Sequence, residues 1–154
     1  MKTILLVEDE ALIALHQSEI MKQNGFKVIN VLTGEKAVTA VEENPIDLIL
    51  MDIDLGRNKM DGTVAAEIIL RNRDIPIVFL SSHTEPEIVE KNEKITSYGY
   101  VVKNSGKTVL NAAIKMAFRL HDEKQRVKQS RRELQKNEDF LNKIGEMARV
   151  GGWE

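Results

Sequence analysis

Leu48-Ile49-Leu50-Met51-Asp52-Ile53-Asp54 is a run of four apolar residues that ends in two carboxylates with one apolar residue between them. A run this short, apolar on both sides of the pleat, predicts a strand covered on both faces. Four other segments read the same way: Ile4-Leu5-Leu6-Val7, Val28-Ile29-Asn30-Val31-Leu32, Ile75-Pro76-Ile77-Val78-Phe79-Leu80 and Tyr100-Val101-Val102. Helical spacing lies between them. Ala11 to Gln23 runs up to Asn24-Gly25, a helix stop. Ala37, Val38 and Val41 share one face, as do Val64, Ala65, Ile68 and Ile69. Thr84-Glu85-Pro86-Glu87 has the form of a capping box. Strands and helices in alternation predict an α/β fold, a doubly wound five-stranded parallel sheet.

Composition narrows the chemistry. The 154 residues include no Cys, which excludes disulfide scaffolds, thiolate metal sites and cysteine nucleophiles. No apolar run is long enough to cross a membrane, and the apolar segment after Met1 is too short for a signal peptide, so a cytoplasmic location is expected. The net charge of −2 conceals a division. Residues 1–104 hold 11 Lys and Arg against 17 Asp and Glu, whereas residues 105–154 hold 11 against 7. An acidic body precedes a basic tail.

That tail has no Pro, and Gly only at Gly106, Gly145, Gly151 and Gly152. Val109, Leu110, Ala113, Ile114, Ala117 and Phe118 form the wide apolar stripe of a docked helix. Farther on, the apolar residues thin to a seven-residue period: Ala113, Leu120, Val127, Leu134, Leu141, Ala148. With Ala117, Lys124, Arg131, Glu138 and Gly145 four positions on, this is half of a coiled-coil seam. A homodimer through the extended C-terminal helix and a solvated linker helix are both open. The basic stretch from Lys124 to Arg132 is interspersed with acids and lacks aromatic stacking residues, so no nucleic-acid partner is expected.

In a doubly wound sheet, sites form at the carboxyl ends of the strands. Those ends carry Glu8-Asp9, Asp52 and then Asp54, Ser81-Ser82, and Lys103. Several carboxylates at one edge repel one another unless a cation sits among them, and an all-oxygen set with few protein ligands suits Mg²⁺. A metal, an ammonium and a hydroxyl around one carboxylate suit a phosphoryl group, with the carboxylate as nucleophile.

In this order and spacing, the acidic pair Glu8-Asp9, Asp52 with Met60-Asp61-Gly62 downstream, Ser81, and Gly99-Tyr100-Val101-Val102-Lys103 resemble the response-regulator receiver domain of two-component signalling. The resemblance covers residues 1–120 and implies the flavodoxin-like receiver fold. It implies that Asp52 accepts phosphate from a phosphohistidine on a sensor histidine kinase or a histidine phosphotransfer protein. Glu8, Asp9, Asp52 and the backbone carbonyl of Asp54 would hold Mg²⁺, and Lys103 would pair with Asp52. Ser81 and Tyr100 would form the switch, changing the surface around the last strand and its flanking helices. Such a domain catalyses only its own phosphorylation and dephosphorylation. Residues 144–154, from Ile144-Gly145-Glu146 to Gly152-Trp153-Glu154, are similar to the start of a PAS sensory domain, with residues 121–143 as a connecting helix. The parent protein would continue into a sensory or output domain, as in a hybrid histidine kinase.

Three departures and one rival accompany this reading. Leu55-Gly56-Arg57-Asn58-Lys59 replaces the family's Pro-containing loop after the phosphoacceptor, Asn104 stands where a cis-Pro is usual, so a trans bond is expected, and Ser81 is smaller than the usual Thr. Met51-Asp52-Ile53-Asp54 also resembles the Asp-x-Asp signature of haloacid-dehalogenase-like phosphatases, but there it ends the first strand. His83 could border the phosphoryl site or lie on a surface loop. His121-Asp122 lacks the flanking residues of a kinase phosphoacceptor, and no ATP-binding sequence is present.

Overall fold

The computed structural model describes residues 1–55, 60–82, 98–103 and 105–150. Five strands, β1 (Thr3–Val7), β2 (Lys27–Val31), β3 (Leu48–Asp52), β4 (Ile77–Ser81) and β5 (Tyr100–Val102), alternate with the helices α1 (Ala11–Gln23), α2 (Gly34–Glu43), α3 (Gly62–Asn72) and α4 (Lys107–Val150). All pairings are parallel, in the order β2-β1-β3-β4-β5. The expected doubly wound sheet is therefore present, with its order reversing between β1 and β3.

The pleat divides the core in two. Leu5, Val7, Ile49, Met51, Ile77 and Phe79 face α2 and α3, whose Ala37, Val41, Ala65, Ala66 and Ile69 cover them. Ile4, Leu6, Leu48, Leu50, Val78 and Leu80 pack on the other side, against Ala14, Ile20 and Met21 of α1 and Leu110, Ile114 and Ala117 of α4. Each residue of β1, β3 and β4 is buried, which is why these strands carry almost no polar side chains until their carboxyl ends.

Three expectations need correction. β2 is only partly buried, because it is an edge strand with one neighbour. β4 begins at Ile77 and not at Ile75: Pro76 has no N–H for the ladder, although its carbonyl accepts from Ile49 N at 3.0 Å. On α3 the buried face is Thr63, Ala65, Ala66 and Ile69, whereas Val64 is 43% exposed. Asp61 caps the helix, accepting from Val64 N at 3.0 Å. The capping box at Thr84–Glu87, His83, the 56–59 loop, Asn104 and residues 151–154 lie outside the described residues.

The chain divides into two compact units, Met1–Arg119 and Leu120–Glu154. In the second, α4 continues as helix past Ile144 to Val150. Val127, Leu134 and Leu141, spaced by seven, are 50%, 62% and 65% exposed, and Phe140 and Ile144 are exposed beside them. Gln129–Glu133 and Gln135–Asp139 bond one turn apart on the same helix. No helix among the described residues is long and apolar enough to cross a membrane.

The core assignment is testable by urea unfolding. Leu50→Ala and Ile69→Ala should each cost about 2–4 kcal/mol, while Val64→Ala should stay below about 1 kcal/mol. A large loss at Val64 would contradict the orientation of α3.

Candidate phosphoacceptor site at the carboxyl edge of the sheet

The reversal of strand order brings the ends of β1 and β3 side by side, with Val7 opposite Met51. Glu8 follows β1, held by its N–H to Val31 O at 3.1 Å, and is fully buried. Asp52 ends β3 and is 1% exposed. Lys103 follows β5, two strands away from β3. Its N–H donates to Ser81 O at 2.7 Å, which anchors the backbone beside β4. From there the ammonium crosses the end of β4 and donates to Asp52 Oδ2 at 2.8 Å and Glu8 Oε1 at 3.3 Å, with Glu8 Oε2 3.1 Å away.

The order of the sheet decides which carboxylates meet the lysine. Asp9 and Glu10 are exposed, and the ligand atoms of Glu8, Asp9 and Glu10 lie within 4.8 Å of one another. Asp54 is exposed as well; its N–H donates to Asp52 Oδ1 at 3.1 Å. Ser81 is buried at the end of β4, opposite Val102, whereas Ser82 is exposed. Tyr100 opens β5 opposite Phe79 and packs half-buried against the α2–α3 side of the core.

Two features had no counterpart in the sequence reading. The first is the bond between Lys103 and Glu8. The second is the reason for Gly62, which follows the Asp61 cap. Gly62 N donates to Ile53 O at 3.0 Å, and a Cβ on it would stand 2.0 Å from Asp52 O. Only glycine lets the start of α3 close onto the end of β3. The downstream Met60-Asp61-Gly62 carried that signal, but a sequence shows no close approach.

Two buried carboxylates share one ammonium, so the cluster carries a net negative charge. Burial pushes the Asp52 carboxyl up to about 7, against the pull of the Lys103 hydrogen bond and with the push of the Glu8 charge. Glu8 is raised too, mainly by burial. Burial pulls Lys103 down, but its bonds to Asp52 and Glu8 outweigh that and raise it overall. Glu8 Oε2 is buried and accepts no hydrogen bond among the described residues. A buried carboxylate oxygen that has an ion-pair contact but no hydrogen bond, beside exposed acids, is a donor set that fits a hard divalent cation.

Residues 4–115 match the family model described as the response regulator receiver domain. The chain belongs to that family. Among curated relatives, this receiver is 32% identical over 117 residues to the transcriptional regulatory protein PdtaR of Mycobacterium tuberculosis, a match covering 75% of this chain and 56% of that protein. It thus spans little more than half the length of that relative. Among solved structures, it is 44% identical to the N-terminal domain of a response regulator/sensory box/GGDEF three-domain protein from Carboxydothermus hydrogenoformans, with a TM-score of 0.73 over 80% of this chain and 98% of that one. The chemotaxis protein CheY4 of Vibrio cholerae, 21% identical with a TM-score of 0.69 over 76% of this chain and 98% of that one, shares the fold.

The raised Asp52 makes a signed prediction. Its folded value lies above the ordinary 3.8, so the folded receiver binds this proton more tightly than the unfolded chain. Its contribution to stability is present below about pH 4 and is lost as pH rises through about 7. In chelator, Asp52→Asn should gain on the wild type by roughly 2 kcal/mol between pH 5 and pH 8. Chemical denaturation at the two pH values checks this; a constant difference would contradict the buried, proton-holding Asp52. Gly62→Ala, in contrast, should cost about 2 kcal/mol or more at either pH, because backbone must move.

Proposed function

We propose that this receiver is a phosphorylation switch in which Asp52 takes a phosphoryl group from a phosphohistidine of a sensor kinase or phosphotransfer protein. The observation that carries the reading is the Lys103 ammonium held 2.8 Å from Asp52 Oδ2 at the edge where the strand order reverses. A lone pair of Asp52 Oδ1, which among the described residues otherwise accepts only the Asp54 N–H, attacks phosphorus, the P–N bond breaks, and the electron pair leaves on the imidazole nitrogen. Lys103 then has a phosphoryl oxygen to bond in place of the carboxylate charge it loses. Glu8, Asp9, Asp52 and the backbone carbonyl of Asp54 would hold Mg²⁺, which supplies positive charge to the phosphoryl oxygens when bound.

Ser81 and Tyr100 are the switch pair in this reading. Ser81 lies between the Asp52 and Lys103 strands, and Val102 and Lys103 are bonded to its strand, so a shift of its hydroxyl toward the phosphoryl group is felt in β5. Tyr100, at the start of β5, reorients in response. The output runs through α4 to a sensory domain of the PAS type beginning near residue 144. The three-domain arrangement named for the Carboxydothermus protein supports this order. The exposed Val127, Leu134 and Leu141 support pairing of α4 with a second copy, since a lone helix with so few apolar contacts is marginal.

Acetyl phosphate with a magnesium salt should add one phosphoryl group, read by intact mass, and Asp52→Asn should abolish it. Lys103→Met should reduce labelling by at least about tenfold while leaving Mg²⁺ binding measurable. Unaltered labelling of Asp52→Asn would refute the assignment. For the helix, Val127→Glu with Leu134→Glu should convert a sedimenting dimer to monomer; an unchanged equilibrium would remove the pairing role.

A further inference from the structure

The connection from β3 to α3 carries the Asp54 carbonyl and leads back to Gly62. Its two ends are tied to Asp52 and to each other: Asp54 N–H donates to Asp52 Oδ1 at 3.1 Å, and Gly62 N–H donates to Ile53 O at 3.0 Å. A third tie comes from a different element. Met60 N–H donates to Glu35 Oε1 at 3.2 Å, although Glu35 stands 25 positions earlier, in the first turn of α2. The two segments also approach through their backbones, since a Cβ on Gly34 would stand 3.0 Å from Met60 O and 3.2 Å from Ala65 Cβ. The start of α2 is itself fixed, with Thr33 Oγ1 accepting from Lys36 N at 3.1 Å. An acid in the first turn of a helix is favoured by the dipole of its own helix. Glu35 does more: it spends an oxygen on the backbone of another segment.

We propose that Glu35 is a positioning residue for the phosphoryl site, holding Met60 N–H from α2 so that the β3–α3 connection presents the Asp54 carbonyl ready to meet the cation. The inference rests on the receiver reading above. The link is short: Met60 precedes the Asp61 cap, Gly62 bonds Ile53, and Ile53 joins Asp52 to Asp54. A tie made before binding lowers the ordering cost that binding would otherwise carry. The role needs an acceptor oxygen and no charge, so glutamine at this position keeps it and alanine loses it.

Amide exchange followed by NMR, on the full chain in chelator, tests the tie without any metal. Met60 N–H should exchange about three- to tenfold faster in Glu35→Ala than in the wild type, and close to the wild-type rate in Glu35→Gln. A magnesium titration read from the Asp9 and Gly62 amide shifts should give a Kd about two- to fivefold weaker for Glu35→Ala, again restored by Glu35→Gln. Lys36→Ala, in the same turn, should change neither quantity. Faster exchange with unchanged magnesium affinity would leave Glu35 a structural contact and overturn the proposal. Unchanged exchange, or a Glu35→Gln that behaves as Glu35→Ala, would overturn it as well. A wild type that takes up no phosphoryl group from acetyl phosphate would instead remove the switch reading, and this inference with it.

Discussion

A lysine that reaches across one strand to two buried carboxylates is the interaction on which the rest depends. Glu8 and Asp52 sit on adjacent strands because the sheet reverses direction between β1 and β3, and both are shut away from water. Removing a charge from water costs several kcal/mol, so neither acid would tolerate this position ionised and alone. The 2.8 Å and 3.1 Å contacts with Lys103 offset part of that cost. One ammonium cannot balance two carboxylates, and the surplus appears in the raised Asp52 and Glu8 carboxyls. The site is short of positive charge.

The apolar body makes this imbalance sustainable. β1, β3 and β4 are buried from end to end, and helices close both faces. Of the buried polar side chains, Glu8, Asp52 and Ser81 gather at the carboxyl edge of the sheet. Gly62 extends the same logic: α3 begins so near the Asp52 carbonyl that no side chain fits between them. The α3 cap and the end of β3 are therefore in direct backbone contact.

Much of this was legible in the sequence for a simple reason: strands covered on both faces must be apolar throughout, so the five runs and their carboxylate ends stand out. Asp52, Glu8, Asp9, Ser81 and Lys103 each follow such a run, and the family match bears out the receiver reading. What could not be read depends on distances between strands. Periodicity gave no sign that Lys103 would meet Glu8 as well as Asp52, or that Gly62 would touch the Asp52 backbone. Val64 was misplaced because small residues, Ala65 and Ala66, take the buried positions of α3, and apolar spacing alone does not resolve which neighbour faces the sheet. β2 misled for a different reason: an edge strand and a central one differ in neighbours, not in residue type.

The central claim is that Asp52, and no other acid at this edge, is the nucleophile. Borohydride reduces an acyl phosphate to an alcohol, so the phosphorylated aspartate is converted to homoserine and can be located by peptide mass spectrometry. After labelling with acetyl phosphate and reduction, the account predicts homoserine at position 52, with Asp9 and Asp54 unchanged. Homoserine at position 54 or 9, with Asp52 intact, would contradict it.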